Sequence, residues 1–200
     1  MAIKPILFNG EMVRAILDGR KICTRRLVKH NVDAVLNSPY HMEHPETEDV
    51  WLIKRLCRAP YDPGDILYVR ETWDWDPDNE VAKTYYYKAD GDLRPEGYKG
   101  MGWLPSIHMP KEAARIWLKV TDVRVERLQD ITAEQILKEG IGLTQDMIES
   151  VKEMKEHCDI PFAATWNHTL KKSDLDRYGW AANPWVWVIE FERCEKPEGV

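Results

Sequence analysis

The sequence predicts an α+β domain: a small, partly closed β-barrel decorated with short helices and interrupted by long insertions. Three observations carry this. Strand-like apolar runs recur at 3–8, 66–73, 115–128 and 184–191, with few and short helical patterns between them. At 44% hydrophobic and 31% charged, 200 residues supply one core of ordinary size. No repeat or interdomain linker divides the chain, so 1–195 reads as one domain with insertions at about 30–50, 74–102 and 141–182, and 196–200 as a flexible tail.

Taken in order, residues 3–8 suit a buried strand. Asn9 then offers an N-cap to a helix whose Met12, Val13, Ile16 and Leu17 form one stripe, with Gly19 just past its end. Residues 30–50 are polar and weakly periodic, as a surface insertion would be, and 51–56 is short enough for a strand. Asp62-Pro63-Gly64-Asp65 is a turn, because proline presets one dihedral and glycine permits a positive one. A strand over 66–73 follows, then an acidic turn over 74–80, a tyrosine-rich strand over 84–88 and a glycine-punctuated loop over 90–102. RIWLKVTDVRVERL (115–128) alternates if a bulge falls near Thr121-Asp122. Thr132 and Gln135 make a capping box for a helix ending at Gly140. Helical patterns over 144–157 and 162–172 precede the closing strand.

Charge excludes a general polyanion binder, since the net is −6. Yet residues 14–29 carry Arg14, Arg20, Lys21, Arg25, Arg26 and Lys29 against Asp18 alone, which focuses positive potential on one place. Cys23, Cys57, Cys158 and Cys194 form no CxxC pair and read as reduced thiols, and the histidines form no metal-ligand spacing, so no metal and no cofactor is implied. Asp74, Asp76 and Asp78 lack the small residues of a calcium loop and read as a solvated acidic turn. With no secretory h-region and no long apolar run, the chain is expected in the cytoplasm, without membrane partners.

The order Gly19-Arg20-Lys21-Ile22-Cys23-Thr24-Arg25-Arg26, then Pro63-Gly64-Asp65 leading to Val69-Arg70-Glu71-Thr72-Trp73, then 120–128 with Asp130-Ile131-Thr132 and Glu139-Gly140, resembles the ASCH domain of the PUA-like class, and the closing Trp180 and 183–191 look like its larger phage and prophage members. The resemblance implies recognition of a nucleoside or single-stranded RNA. It further points to the compact members that remove the acetyl group from N4-acetylcytidine, whose lysine, threonine and glutamate carry over to Lys21, Thr24 and Glu71 as catalytic residues.

Thr24 would supply the nucleophilic hydroxyl, Lys21 a base if desolvation and neighbouring cations keep it neutral, and Glu71 an orienting or acid group. Arg20, Arg25 and Arg26 are the candidate cation contacts, although alternation lets only one of Arg25 and Arg26 face the cleft. Trp73, Trp75, Trp103 and His108 are candidate contacts near turns, whereas Trp117, Trp185 and Trp187 belong to strands and should pack in the core. The alternatives are a non-catalytic module for RNA or a modified nucleotide, and a phage accessory protein whose insertions meet a partner. In the plainest alternative Thr24 caps a turn and Lys21 and Glu71 form a surface pair.

Overall fold

The computed structural model describes residues 1–76, 84–98, 100–141 and 159–199; the helix expected over 144–157, Cys158 and Asp78 lie outside them. In chain order the main elements are β1 (Ile3–Leu7), α1 (Gly10–Leu17), β2 (Cys23–Leu27), α2 (Val32–Leu36), α3 (Pro39–Glu43), α4 (Asp49–Leu56), β3 (Ile66–Arg70), β4 (Trp73–Trp75), β5 (Tyr85–Tyr87), β6 (Trp117–Arg127), α5 (Ala133–Lys138), α6 (Asp159–His168), α7 (Leu175–Tyr178) and β7 (Trp185–Cys194).

The architecture is α+β. Five strands form one sheet in the order β1-β3-β6-β7-β2, parallel between β1 and β3 and antiparallel elsewhere. The β6–β7 ladder shifts register between Val120 and Asp122, the bulge that the interrupted alternation demanded. The sheet curls so far that Arg26 on one edge strand donates from Nη2 to the Leu7 carbonyl on the other, at 3.1 Å. The two edges therefore face each other across a side chain rather than a ladder, and a cleft opens there.

β7 is central, so both of its faces are buried and its sequence is a nearly continuous apolar run. Trp187, Ile189 and Phe191 join Ile6, Val13, Ile16, Leu67 and Val120 in the main core under α1. Val186 and Val188 face the other way, against Leu128 just past β6, Ile136 of α5 and Phe162 and Trp166 of α6. Each such fully buried aliphatic side chain contributes about 1.5–3 kcal/mol. The 141–182 insertion thus adds a second core as well as covering surface.

Three expectations change. Residues 51–56 belong to a helix, α4, because neighbours Leu52 and Ile53 are both buried and the Cys57 amide reaches the Ile53 carbonyl at 2.7 Å, which an alternating strand does not permit. The strand expected over 66–73 stops at Arg70; β4 leaves to pair with β5 in a separate two-stranded ribbon. Asp74 is no solvated turn residue: it is fully buried in β4 and paired with Arg94 at 3.2 Å. A third cluster, with Trp73, Met109 and Trp117 at its centre, packs where this ribbon meets β6.

Asp65 ties the start of the chain to the turn before β3. It accepts from the Ala2 amide at 2.8 Å, Lys4 Nζ at 2.7 Å and the Asp62 amide at 3.1 Å. Burial alone would raise its carboxyl, but these donors and the Lys4 charge bring it down to about 2. A depressed carboxylate stabilises the fold above its unfolded value near 4 and loses that contribution as pH falls through about 2. Because Lys4 stays partly exposed, the full linkage value is discounted, and Asp65→Asn is expected to cost about 1–2 kcal/mol at neutral pH. Urea midpoints of the two proteins should converge between about pH 4 and pH 2; a gap that persists unchanged at the acid end would show that ionisation is not its source.

Candidate functional site

The site begins at the exit of α1. Gly19 adopts a left-handed φ of 73°, and the Arg20 and Lys21 amides both return to the Ala15 carbonyl, at 2.9 and 3.0 Å. The chain then makes one antiparallel bridge, Lys21 with Glu139, continued by the Ile22 amide on the Lys138 carbonyl at 2.9 Å. The capping box of Thr132 and Gln135 starts α5, and α5 ends at Glu139. Two helix ends far apart in the chain are thereby pressed together.

This contact decides the partner of Lys21. Its Nζ donates to Glu139 Oε2 at 2.7 Å and to the Glu139 carbonyl at 2.9 Å, in a site where the lysine is 2% exposed. Arg25 Nη1 donates to Glu139 Oε1 at 3.0 Å, so one carboxylate answers two buried cations. Arg25 is itself held by Glu126 Oε1, at 3.2 and 2.6 Å from Nε and Nη2, and by Gln135 Oε1 at 3.0 Å. Both ends of a buried ion network are hydrogen-bonded, as the desolvation cost of such groups requires.

Gly140 makes the approach possible. Its φ is +71°, and a Cβ there would lie 2.6 Å from the Lys21 Cβ and 2.9 Å from the Ala15 Cβ. Only glycine combines that backbone angle with that proximity.

Thr24, on β2, is buried, and its Oγ1 accepts from Arg26 Nη1 at 2.6 Å. Its own hydroxyl hydrogen has no acceptor among the described residues. Arg26 and Thr24 are two residues apart on one strand and so share a face. Arg26 also donates to the Arg25 and Leu7 carbonyls, and burial pushes its guanidinium down from its ordinary value despite the opposing effect of Tyr61 and Glu139. Cys23 beside it is no rival nucleophile, because burial and then Glu139 push its thiol up to about 12.

These groups line a cleft of about 1090 Å³. Lys21, Thr24, Arg20, Arg25 and Arg26 all border it, both arginines included, because β2 is an edge strand and the cleft runs along its unpaired side. Apolar walls come from Phe8 and, across it, Phe162 and Trp166 of α6. Phe162 and Trp166 stack at 6.3 Å between centroids, and Lys21 and Arg26 lie 5.6 and 5.3 Å from the Phe8 ring. The 141–182 insertion thus contributes a wall.

Other expected site residues stand elsewhere. Glu71 is buried but receives Arg115 through both oxygens, at 2.9 and 3.1 Å; Arg115 also grips Asp90 and lies over the Tyr87 ring at 4.0 Å. Burial raises the Glu71 carboxyl in spite of Arg115. Lys21 and Glu71 are therefore not partners; Glu71 clamps the β4–β5 ribbon to the sheet. Trp73 is buried in the third cluster, Trp103 lies under Arg94 at 4.3 Å, and His108 is exposed on a turn, none of them on the cleft. Trp117 and Trp187 are core residues as expected, and Trp185 carries Arg127 on its ring at 4.4 Å. The residue missed is Glu139. Its signal was present in the glycine that follows it, placed just past a helix end.

No protein-family model matches the chain, and no curated protein matches it. Among solved structures it is similar to the ASCH domain from Lactobacillus crispatus JV V101, at 10% identity and a TM-score of 0.41, over 96% of this chain and 79% of that one. It is also similar to the hypothetical protein PH0355, at 15% identity and a TM-score of 0.38, over 97% of this chain and 100% of that one.

Two substitutions test the geometry. Gly140→Ala combines about 1–2 kcal/mol of left-handed strain with about 1–3 kcal/mol of overpacking, so its thermal midpoint should fall by several degrees. Arg25→Met removes one cation of the buried network and leaves Glu126 short of a partner; a loss of about 3 kcal/mol in urea unfolding is expected. An unchanged midpoint in Arg25→Met would mean that the network does not hold α5 to the sheet.

Proposed function

We propose that this chain is an ASCH-type, PUA-like protein that recognises a nucleoside or a single-stranded RNA segment in the β2 cleft, and that it hydrolyses an acylated exocyclic base amine such as that of N4-acetylcytidine. The supporting observation is the convergence of Thr24 with the Lys21–Glu139 pair on a cleft walled by Phe8, Phe162 and Trp166. A nucleobase is planar and carries hydrogen-bonding edges, so it suits aromatic walls beside polar groups.

In this reading Glu139 takes the part first assigned to Glu71. Thr24 Oγ attacks the acyl carbon, forming a C–O bond, while its proton passes to the Lys21–Glu139 pair. Arg26, already 2.6 Å from Oγ1, faces the oxyanion as it develops. The C–N bond then breaks, the pair returns the proton to the leaving amine, and water cleaves the acyl-threonine to release the carboxylic acid. Arg25 acts as a positioning residue, since it holds Glu139 through the oxygen that Lys21 does not use.

The test is incubation with N4-acetylcytidine, following release of cytidine, for wild type and for Thr24→Ala, Lys21→Ala and Glu139→Gln. Each variant should lose at least about 100-fold in kcat, with Glu71→Gln less affected once its folded fraction is taken into account. Full turnover in Thr24→Ala would remove the nucleophile, and binding without turnover in folded wild type would leave a recognition module and no hydrolase.

A further inference from the structure

Three of the six lysines and arginines lining the cleft have counter-charges. Arg20 pairs with Asp18, and Lys21 and Arg25 with Glu139. Three do not: among the described residues Arg14, Arg26 and Lys29 have no carboxylate within ion-pair distance, while Glu11 is the one lining carboxylate without a cation. A chain that is acidic overall thus leaves excess positive charge in this cleft.

Arg14 is the informative member. It makes one hydrogen bond, Nη1 to the Ala89 carbonyl at 3.1 Å, so most of its five N–H donors remain for a ligand. The residue before Ala89, Lys88, donates its amide to the Thr72 carbonyl at 3.0 Å. The residue after Thr72, Trp73, exchanges two backbone hydrogen bonds with Leu104, at 3.2 and 2.8 Å, two positions before Ser106. Backbone hydrogen bonds thus connect, in turn, the carbonyl that Arg14 grips, the Thr72 segment and the bridge just before Ser106, and Arg14, Thr72 and Ser106 all line the cleft. Neither hydroxyl has a side-chain partner among the described residues.

A guanidinium and two hydroxyls lining the same cleft, the hydroxyls without side-chain partners among the described residues, present donors in several directions. That suits the tetrahedral oxygens of a phosphate better than a planar carboxylate. We propose that Arg14, with Thr72 and Ser106, forms a phosphate subsite, and that the ligand of this cleft is a nucleotide, as a free monophosphate or as part of an RNA chain, in preference to a neutral nucleoside. This rests on the nucleoside reading above and extends it to the charged part of the ligand. Arg26 stays with Thr24 and adds long-range attraction.

Calorimetric titration with cytidine and cytidine 5′-monophosphate, which have no acyl group to lose, separates the two ideas. The monophosphate should bind at least about tenfold tighter at about 50 mM salt, with the advantage shrinking at about 200 mM. In Arg14→Gln the ratio should fall to about threefold or less. Equal binding of both ligands by wild type would overturn the phosphate subsite and leave the nucleoside reading standing; no binding of either would remove both. A monophosphate advantage that survives intact in Arg14→Gln would overturn the assignment to Arg14. A cytidine dinucleotide as a further arm distinguishes the two phosphate sources, a chain phosphodiester if it binds more tightly than the monophosphate, a terminal monoester if it binds less tightly.

Discussion

One carboxylate, Glu139, facing two buried cations, is the interaction on which the site depends. Lys21 and Arg25 are almost wholly removed from water, and each would be costly there without a counter-ion. Their demand sets the position of α5, whose end must lie against the exit of α1, and it sets the residue after Glu139, because only glycine lets the two backbones come that close. The capping box at Thr132 and Gln135 then does more than start a short helix. Gln135 also accepts from Arg25, so the residue that closes the box anchors the ion network too.

The curled sheet supplies the rest. An open five-stranded sheet has two edges, and here they are brought face to face with Arg26 spanning the gap. A hydroxyl on an edge strand is thereby buried yet reachable from a cleft, a combination that a central strand would not offer. The insertions are placed around this opening. α6 adds an aromatic wall, and the β4–β5 ribbon, clamped by Glu71, Arg115 and Asp90, is preceded by Thr72 on the cleft lining and followed by Ala89, whose carbonyl holds Arg14.

Aromatic residues illustrate how far composition misleads. Nine tryptophans suggest stacking surfaces, but the three beside turns, Trp73, Trp75 and Trp103, are spent on packing the ribbon against β6 and on Arg94. The aromatic walls of the cleft come instead from Phe8, Phe162 and Trp166, core residues that also border the opening. A short acidic stretch misled in the same way, since Asp74 is fully buried opposite Arg94.

The sequence by itself determined the local features. Asn9 and Thr132 as caps, the bulge after Val120, the central apolar strand β7 and the glycine exit at Gly19 all follow from spacing within a few residues, and so does the placement of Lys21 and Thr24 beyond a helix end. Residues 51–56 show the limit of that reasoning, because a six-residue apolar run fits a strand and a helix until burial distinguishes them. Only the tertiary structure decided which carboxylate meets Lys21. Glu71 and Glu139 are both acidic, both distant in the chain and both buried, and nothing in local periodicity separates them. What separates them is the sheet order, which gives Glu71 to Arg115 and leaves Glu139 to neutralise the cations of β2 and its approach.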